Sequence, residues 1–435
     1  MSASDDSRNG IPARAAAQAV LTQVLRRRRP LDAALDEVLA GSGLETRDAG
    51  FARAIARETL RRFGQLDALI RTFVPKAPPP HRAGATLEIL LAGACELLFL
   101  DVPPHAAVDA ANRLAAADHK ALHFKSLINA VLRRISREGQ AALAKQDTAQ
   151  LSCPDWLWER WCAAYGEETT RAIAMAHLKE PPLDLVAKTS ASVMPDDGTA
   201  LGGSVFRYSG TGRVAEREGF VAGDWWVQDF AATFPARLFG NVVGRRVLDL
   251  CAAPGGKTAQ LAALGASVTA VDIDATRLAR LSENLARLNL SAEVVARDVR
   301  DLDVKPAPFV LLDAPCTATG TIRRHPELPW IKSAADVTAC VAIATDLLDA
   351  AARLVAPGGT LVFAVCSLEP EEGVDQIEGF LSGNRDFSRA PVTLGEVLGM
   401  PELISQNGDL RTLPCHLSDK GGMDGFYAAR LIRSV

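Results

Sequence analysis

A chain of 435 residues, 48% of them apolar, exceeds the size of one hydrophobic core and predicts two or three domains, while the polar start from Met1 to Gly10 and the lack of any apolar run of about 18 residues exclude a signal core and a membrane span. Eight cysteines without a CxxC pair or zinc spacing exclude a disulfide framework and a metal cluster and predict reduced thiols in the cytoplasm. A net charge of -4 argues against a nucleic-acid partner only until it is divided: residues 1–140 carry 20 Lys/Arg against 15 Asp/Glu, the remainder 28 against 37, so the base-rich part is N-terminal.

From Ala13 to about Arg137 apolar residues recur at three and four spacing, as in Ala17, Val20, Leu21, Val24, Leu25 and in Leu87, Leu90, Leu91, Ala94, Leu97, Leu98. Breaks fall at the Pro-rich stretch 76–80 and at Asp101-Val-Pro-Pro104. This predicts an all-helical domain over 1–140. A second region, 141–240, opens with Trp156, Trp158 and Trp161 and continues through short apolar runs separated by Asp-Asp-Gly, Gly-Gly and Ser-Gly-Thr-Gly turns, which predicts a linker and small α/β module. The tryptophans suit helix packing better than base stacking. Over 241–435 apolar runs at Val247–Leu250, Val268–Val271, Glu293–Val295, Phe309–Leu312 and Thr360–Val365 alternate with helical patterns such as Ala275–Leu288 and Ala334–Leu354. Continuous apolar strands alternating with helices predict a doubly wound α/β domain, with ligands at the carboxyl ends of its strands.

The first of those strands runs into Cys251-Ala-Ala-Pro-Gly-Gly-Lys-Thr258 and then a helix, a small-residue loop whose backbone amides can approach a ligand. A nucleotide P-loop would need glycine where Cys251 stands, and the dinucleotide fingerprint is missing. About twenty residues on, Asp272 ends the second strand, placed to take the two hydroxyls of a ribose, while Asp274 suits the N-cap of the next helix. Asp298 ends the third strand, within reach of an adenine amino group. An adenosine-bearing cofactor without a pyrophosphate fits this set. At the ends of the fourth and fifth strands stand Asp313-Ala-Pro-Cys316 and Val365-Cys366-Ser367, two thiols and an acid on one sheet edge. Either cysteine alone reads as an inert buried hydrophobe; together with the acid they point to chemistry.

These residues resemble the NOL/NOP/Sun RNA 5-methylcytosine methyltransferases. The resemblance rests on CAAPGGKT, on LLDAPCTATGTIRRHPE at 311–327, on VCS followed by LEPEE, and on DGFY at 424–427. Ala94 to Pro104 and Asn129-Ala-Val-Leu-Arg-Arg134 resemble a NusB-type helical RNA-binding domain, a pairing similar to the bacterial Sun-type subgroup that acts on small-subunit (16S) ribosomal RNA. The resemblance covers nearly the whole chain. It implies a Rossmann-like methyltransferase domain after a NusB-like one, S-adenosylmethionine held by Cys251, Ala252, Ala253, Pro254, Gly255, Gly256, Lys257, Asp272, Asp298 and Asp313, a nucleophile in Cys366, product release through Cys316, and RNA as partner with no metal and no membrane. Val365 stands where TCS is usual, and Met423 where a His commonly precedes the final Asp-Gly-Phe, which bears on RNA contacts near 422–427.

Carbon 5 of cytosine is a poor nucleophile until a thiolate adds to carbon 6. Asp313 at ring N3 would stabilise the charge that develops, and Cys316 would take the carbon 5 proton afterwards. A target base must be single-stranded or flipped out of its stack. Lys257 is expected either as a polar contact in the site or as a solvent-facing helix-start lysine. Arg26 to Arg29, Arg53, Arg57, Arg61 and Arg62 are available either for RNA phosphates or for solvated helix faces. Methylation of an exocyclic nitrogen or a ribose oxygen would leave Cys366 without a role, and a non-catalytic RNA-binding factor would have no use for the full set of Asp313, Cys316 and Cys366.

Overall fold

The computed structural model describes residues 10–74, 79–210 and 213–435. They divide into two compact units, one running up to Lys179 with the addition of Ile322–Ser333, the other made of Glu180–Thr321 and Ala334–Val435. Among the described residues no helix is long and apolar enough to cross a membrane. Residues 1–9 of the polar start, 76–78 of the Pro-rich stretch and 211–212 of the Ser-Gly-Thr-Gly turn lie outside the described residues.

The first unit is helical throughout its described residues. Helices Ile11–Arg27 and Thr46–Arg61 press their apolar stripes together around Val20, Leu21, Val24, Ile55 and Leu60. Thr86–Phe99 and Lys125–Leu143 enclose a second core through Leu91, Cys95, Leu132 and Ile135. The break at Asp101–Pro104 is where it was expected: one helix ends at Phe99, Asp101 turns the chain at φ 51°, and the next starts on Pro104, where a missing N–H is harmless. Six of the eight arginines considered for RNA phosphates make contacts inside this unit. Arg26 pairs with Glu88, Arg29 with Glu37, Arg57 with Asp32 and Arg62 with Glu58, while Arg28 donates to the Ile331 carbonyl and Arg61 to those of His177 and Arg323.

The module expected over 141–240 is split between the units. Helices Asp155–Tyr165 and Glu167–His177 stay with the helical unit, where Gln65 bonds to Thr148 and receives a bond from Gln146. Trp161 is fully buried against the His177 ring, which fits the packing reading of that residue, and Trp158 lies under the Arg171 guanidinium. The strands of the region belong to the second unit. Strands β1 (Leu183–Ala187), β2 (Gly198–Gly202), β3 (Val205–Tyr208) and β4 (Trp225–Val227) form an antiparallel sheet in the order β2-β3-β1-β4. Its anchor is a buried ion pair in which Arg207 donates to both oxygens of Asp184 at 2.7 and 2.8 Å, while Asp184 also accepts the Phe230 amide. Asp184 is 0% exposed, so truncating its partner strands a charge. Arg207→Ala should therefore cost about 3–5 kcal/mol, read as a lower urea midpoint; an unchanged midpoint would show that the sheet does not depend on the pair.

The remaining strands are β5 (Arg246–Leu250), β6 (Ser267–Asp272), β7 (Glu293–Ala296), β8 (Ala307–Asp313), β9 (Val355–Val365), β10 (Phe387–Arg389), β11 (Leu410–Thr412) and β12 (Phe426–Arg433). They make one sheet in the order β10-β12-β9-β8-β5-β6-β7, with β11 also on β12. β5 to β9 are parallel and β12 runs antiparallel to β9. Alternate residues feed opposite cores: Leu311, Val362 and Ala364 join Leu278 and Leu281 of helix Ala275–Arg287, while Val310, Leu312 and Phe363 join Leu347 and Leu348 of helix Ala334–Arg353. Burial on both faces is why β5, β6, β8 and β9 read as unbroken apolar runs, while β7 at the edge is largely exposed. The chain order reverses between β5 and β8, the switch point at which such sheets open a crevice.

Candidate active site

The β5–helix turn is built for close approach. Cys251 takes φ 60° and Gly255 φ 103°, and a Cβ on Gly255 would lie 2.6 Å from Leu281 Cγ, so only glycine fits there. Helix Gly256–Ala263 starts directly behind it. Burial pushes the Cys251 thiol up to about 12, which leaves it neutral. At the end of β6, Asp272 is 3% exposed. Its Oδ2 accepts the Ala253 amide and its Oδ1 the Asp274 amide, both at 3.0 Å, so the carboxylate is fixed while each oxygen retains a lone pair. That is the geometry two vicinal hydroxyls require. Beside it Ile273 is 69% exposed, an apolar surface suited to the face of a purine. These residues fit an adenosine-bearing cofactor. Asp274 caps the next helix through Thr276 and Arg277, as its position suggested. Asp298 is drawn toward Arg300 by a 2.6 Å ion pair, and this hydrogen bonding holds its carboxyl below the usual range.

Lys257 turns inward. Its Nζ lies 2.7 Å from Asp313 Oδ2 and above the Phe426 ring. Burial works against the lysine charge, but the Asp313 carboxylate outweighs it and holds the ammonium above its ordinary range. The solvent-facing alternative for Lys257 is thereby excluded. Beneath the pair, Asp249 is fully buried, pushed up to about 7 by desolvation, and takes a hydrogen bond from Thr258 Oγ1. Nothing in the sequence drew attention to Asp249, since one acid inside an apolar strand carries no spacing signal.

The two cysteines meet. β8 and β9 are adjacent and parallel, and the loops beyond them place Cys316 Sγ 3.6 Å from Cys366 Sγ. The contact with Cys366, reinforced by burial, pushes the Cys316 thiol well above its ordinary range. All eight cysteines are free thiols. Sequence reasoning did not reach the polar network around this pair. Glu372, 1% exposed, accepts Thr317 N at 2.8 Å and Thr317 Oγ1 at 2.6 Å, and also Ser367 Oγ. Thr319 Oγ1 in turn accepts the Leu368 amide, and Gly320 N donates to the Cys366 carbonyl. Met423, in place of the common His, is fully buried, and its neighbour Asp424 donates its amide to Asp229.

A mostly parallel sheet with the order reversal described, a close-approach turn after β5, an acid ending β6 and an antiparallel final strand defines a Rossmann-like methyltransferase domain. Residues 240–432 match the family described as 16S rRNA methyltransferase RsmB/F, and residues 11–137 match the NusB family. The chain belongs to the ribosomal RNA small subunit methyltransferase B family: it is 36% identical to that protein of Pseudomonas syringae pv. tomato over 451 residues, covering 97% of this chain and 96% of the relative, and 34% identical to that of Pasteurella multocida over 445 residues, with the same shares. A crystal structure of the protein PH0851 has the same fold at a TM-score of 0.77 and 23% identity, covering 97% of this chain and 98% of that one.

Proposed function

We propose that the chain methylates carbon 5 of a cytosine in small-subunit (16S) ribosomal RNA, with Cys366 as the nucleophile at carbon 6. The observation that carries this reading is the pair of thiols 3.6 Å apart on the strand-end crevice, in the same unit as the Lys257–Asp313 pair. S-adenosylmethionine, bound by the turn 251–257 and by Asp272 with Asp298 nearby, supplies an electrophilic methyl group. Cys366 forms its bond to carbon 6 and sends an electron pair toward carbon 5, and a proton held between Asp313 and ring N3 meets the charge that arrives there. While Cys366 is a thiolate, it accepts a hydrogen bond from the Cys316 thiol. Once the Cys366 sulfur is bonded to carbon, that hydrogen bond and that charge are gone, so Cys316 can give its proton to solvent and, as the thiolate, remove the carbon 5 proton. Cys366 then leaves as a thiolate and the ring regains its double bond.

The helical unit supplies RNA affinity in this reading, and eight free thiols suit the cytoplasm. The test is mass spectrometry of nucleosides from under-methylated small-subunit ribosomal RNA, or the corresponding ribosomal particles, incubated with methyl-labelled S-adenosylmethionine. Label in 5-methylcytidine is the expected outcome; label in any other nucleoside would overturn the cysteine route.

A further inference from the structure

Glu372 lies six residues beyond one thiol and far in sequence from the other, yet it is bonded to the residue that follows each. Thr317, next to Cys316, gives it both an amide and a hydroxyl hydrogen bond; Ser367, next to Cys366, gives it a hydroxyl one. Both carboxylate oxygens are thus used by the two loops that carry the thiols, in a spot that is 1% exposed. Two further bonds tie the loops to each other directly, Gly320 N to the Cys366 carbonyl and the Leu368 amide to Thr319 Oγ1 at 2.9 Å, while Arg411 Nη1 to the Ser367 carbonyl at 2.6 Å and the Glu369 amide to Ser367 Oγ at 3.0 Å brace the Cys366 side; Glu372 is the charged group among them that holds both loops. Burial pushes the Glu372 carboxyl above its ordinary range, and the hydrogen bonds from Ser367 and Thr317 work against that shift by filling its acceptors. We propose that Glu372 is a positioning residue that clamps the Cys316 and Cys366 loops at thiol contact distance and assigns the proton of the pair to Cys316.

This inference rests on the reading of Cys366 as nucleophile. A carboxylate behind Thr317 disfavours a thiolate at Cys316, whereas the Lys257 ammonium lies within electrostatic reach of Cys366. The charged and titratable groups around the thiols are therefore Glu372, Glu369 and Arg411 on the clamp side and Lys257 and Asp313 on the cofactor side. The clamp side selects which sulfur keeps its proton, and the cofactor side sets a cation near the other.

The test uses Glu372→Gln, which keeps size and some hydrogen bonding but removes the charge. Alkylation of each cysteine by iodoacetamide is followed across pH by mass spectrometry of the peptides, in the full chain without RNA. The midpoint for Cys316 should move down by about one pH unit or more, and kcat for methyl transfer should fall on the order of 10²-fold with KM for RNA unchanged. Glu372→Asp should recover part of the charge effect. Should Glu372→Gln not fold, Thr317→Val removes one arm and should show the same downward shift in smaller size. Unchanged alkylation profiles, or a kcat within twofold of wild type, would overturn the clamp. Because alkylation needs no substrate, a wild-type protein that methylates some other nucleoside refutes the cytosine reading and leaves this result standing.

Discussion

Cys316→Ala should leave the protein covalently attached to its RNA, visible as a band of retarded mobility on a denaturing gel, while Cys366→Ala should form no such band and lose turnover by at least about 10³-fold. The two outcomes follow from unequal roles for two similar groups. Addition to carbon 6 and methyl transfer need only the nucleophile. Departure of that nucleophile needs the carbon 5 proton to be removed, and with Cys316 gone the adduct has no base beside it. Both variants should still bind RNA and S-adenosylmethionine, since neither thiol carries affinity in the proposed scheme. A band in Cys366→Ala and none in Cys316→Ala would exchange the two assignments, and no band in either would remove the covalent route.

The structure supports the assignment from two sides. Cys316 accounts for its raised thiol through Cys366 and burial, so within the pair it is the better proton holder. Lys257, whose ammonium is held above its ordinary range, interacts electrostatically with Cys366, which places a cation on that side of the pair. A thiol pair sharing one proton titrates as a unit, and the alkylation profile of wild type should accordingly show one cysteine modified well below the other.

How much of this was legible in the sequence differs from element to element. β5, β6, β8 and β9 were readable because both faces of that part of the sheet are buried, and burial on both faces demands unbroken apolar runs, whereas the edge strand β7 is largely exposed and showed only its short Val294-Val295 run. β12 was not read as a strand, because Arg430 and Arg433 interrupt its run; Arg430 is tied to Glu396 and Arg433 to the Val355 carbonyl, partners a local pattern does not reveal. β10 and β11 are three residues long, below the length at which alternation carries information. The strand-end rule located Asp272, Asp298, Asp313, Cys316 and Cys366, since in a parallel sheet every one of those ends lies on one edge. It could not give the 3.6 Å thiol contact or the inward turn of Lys257. Glu372 escaped notice for a related reason: an acid in the acidic stretch Glu369–Glu372 looks solvated until the Cys316 loop closes over it.

Asp313→Asn should lower kcat by about 10²–10⁴-fold while leaving KM for RNA within a few-fold, and it should also destabilise the protein, for a separable reason. The chemical part is the loss of the group assigned to ring N3, where charge develops. The structural part is Lys257, 10% exposed, which loses the carboxylate 2.7 Å away and is left as a poorly solvated ammonium. Because Asp313 raises the folded-state value of Lys257, their pairing stabilises fully below the ordinary lysine range, near about 10.4, and is lost as pH rises through the raised value. At neutral pH the whole of that contribution is present, so the variant should unfold at a lower urea concentration there. Adding Lys257→Met removes the stranded charge, and the double variant should regain urea resistance without regaining turnover. Recovery of both would make the pair structural only; recovery of neither would mean that Lys257 is required for the fold in its own right.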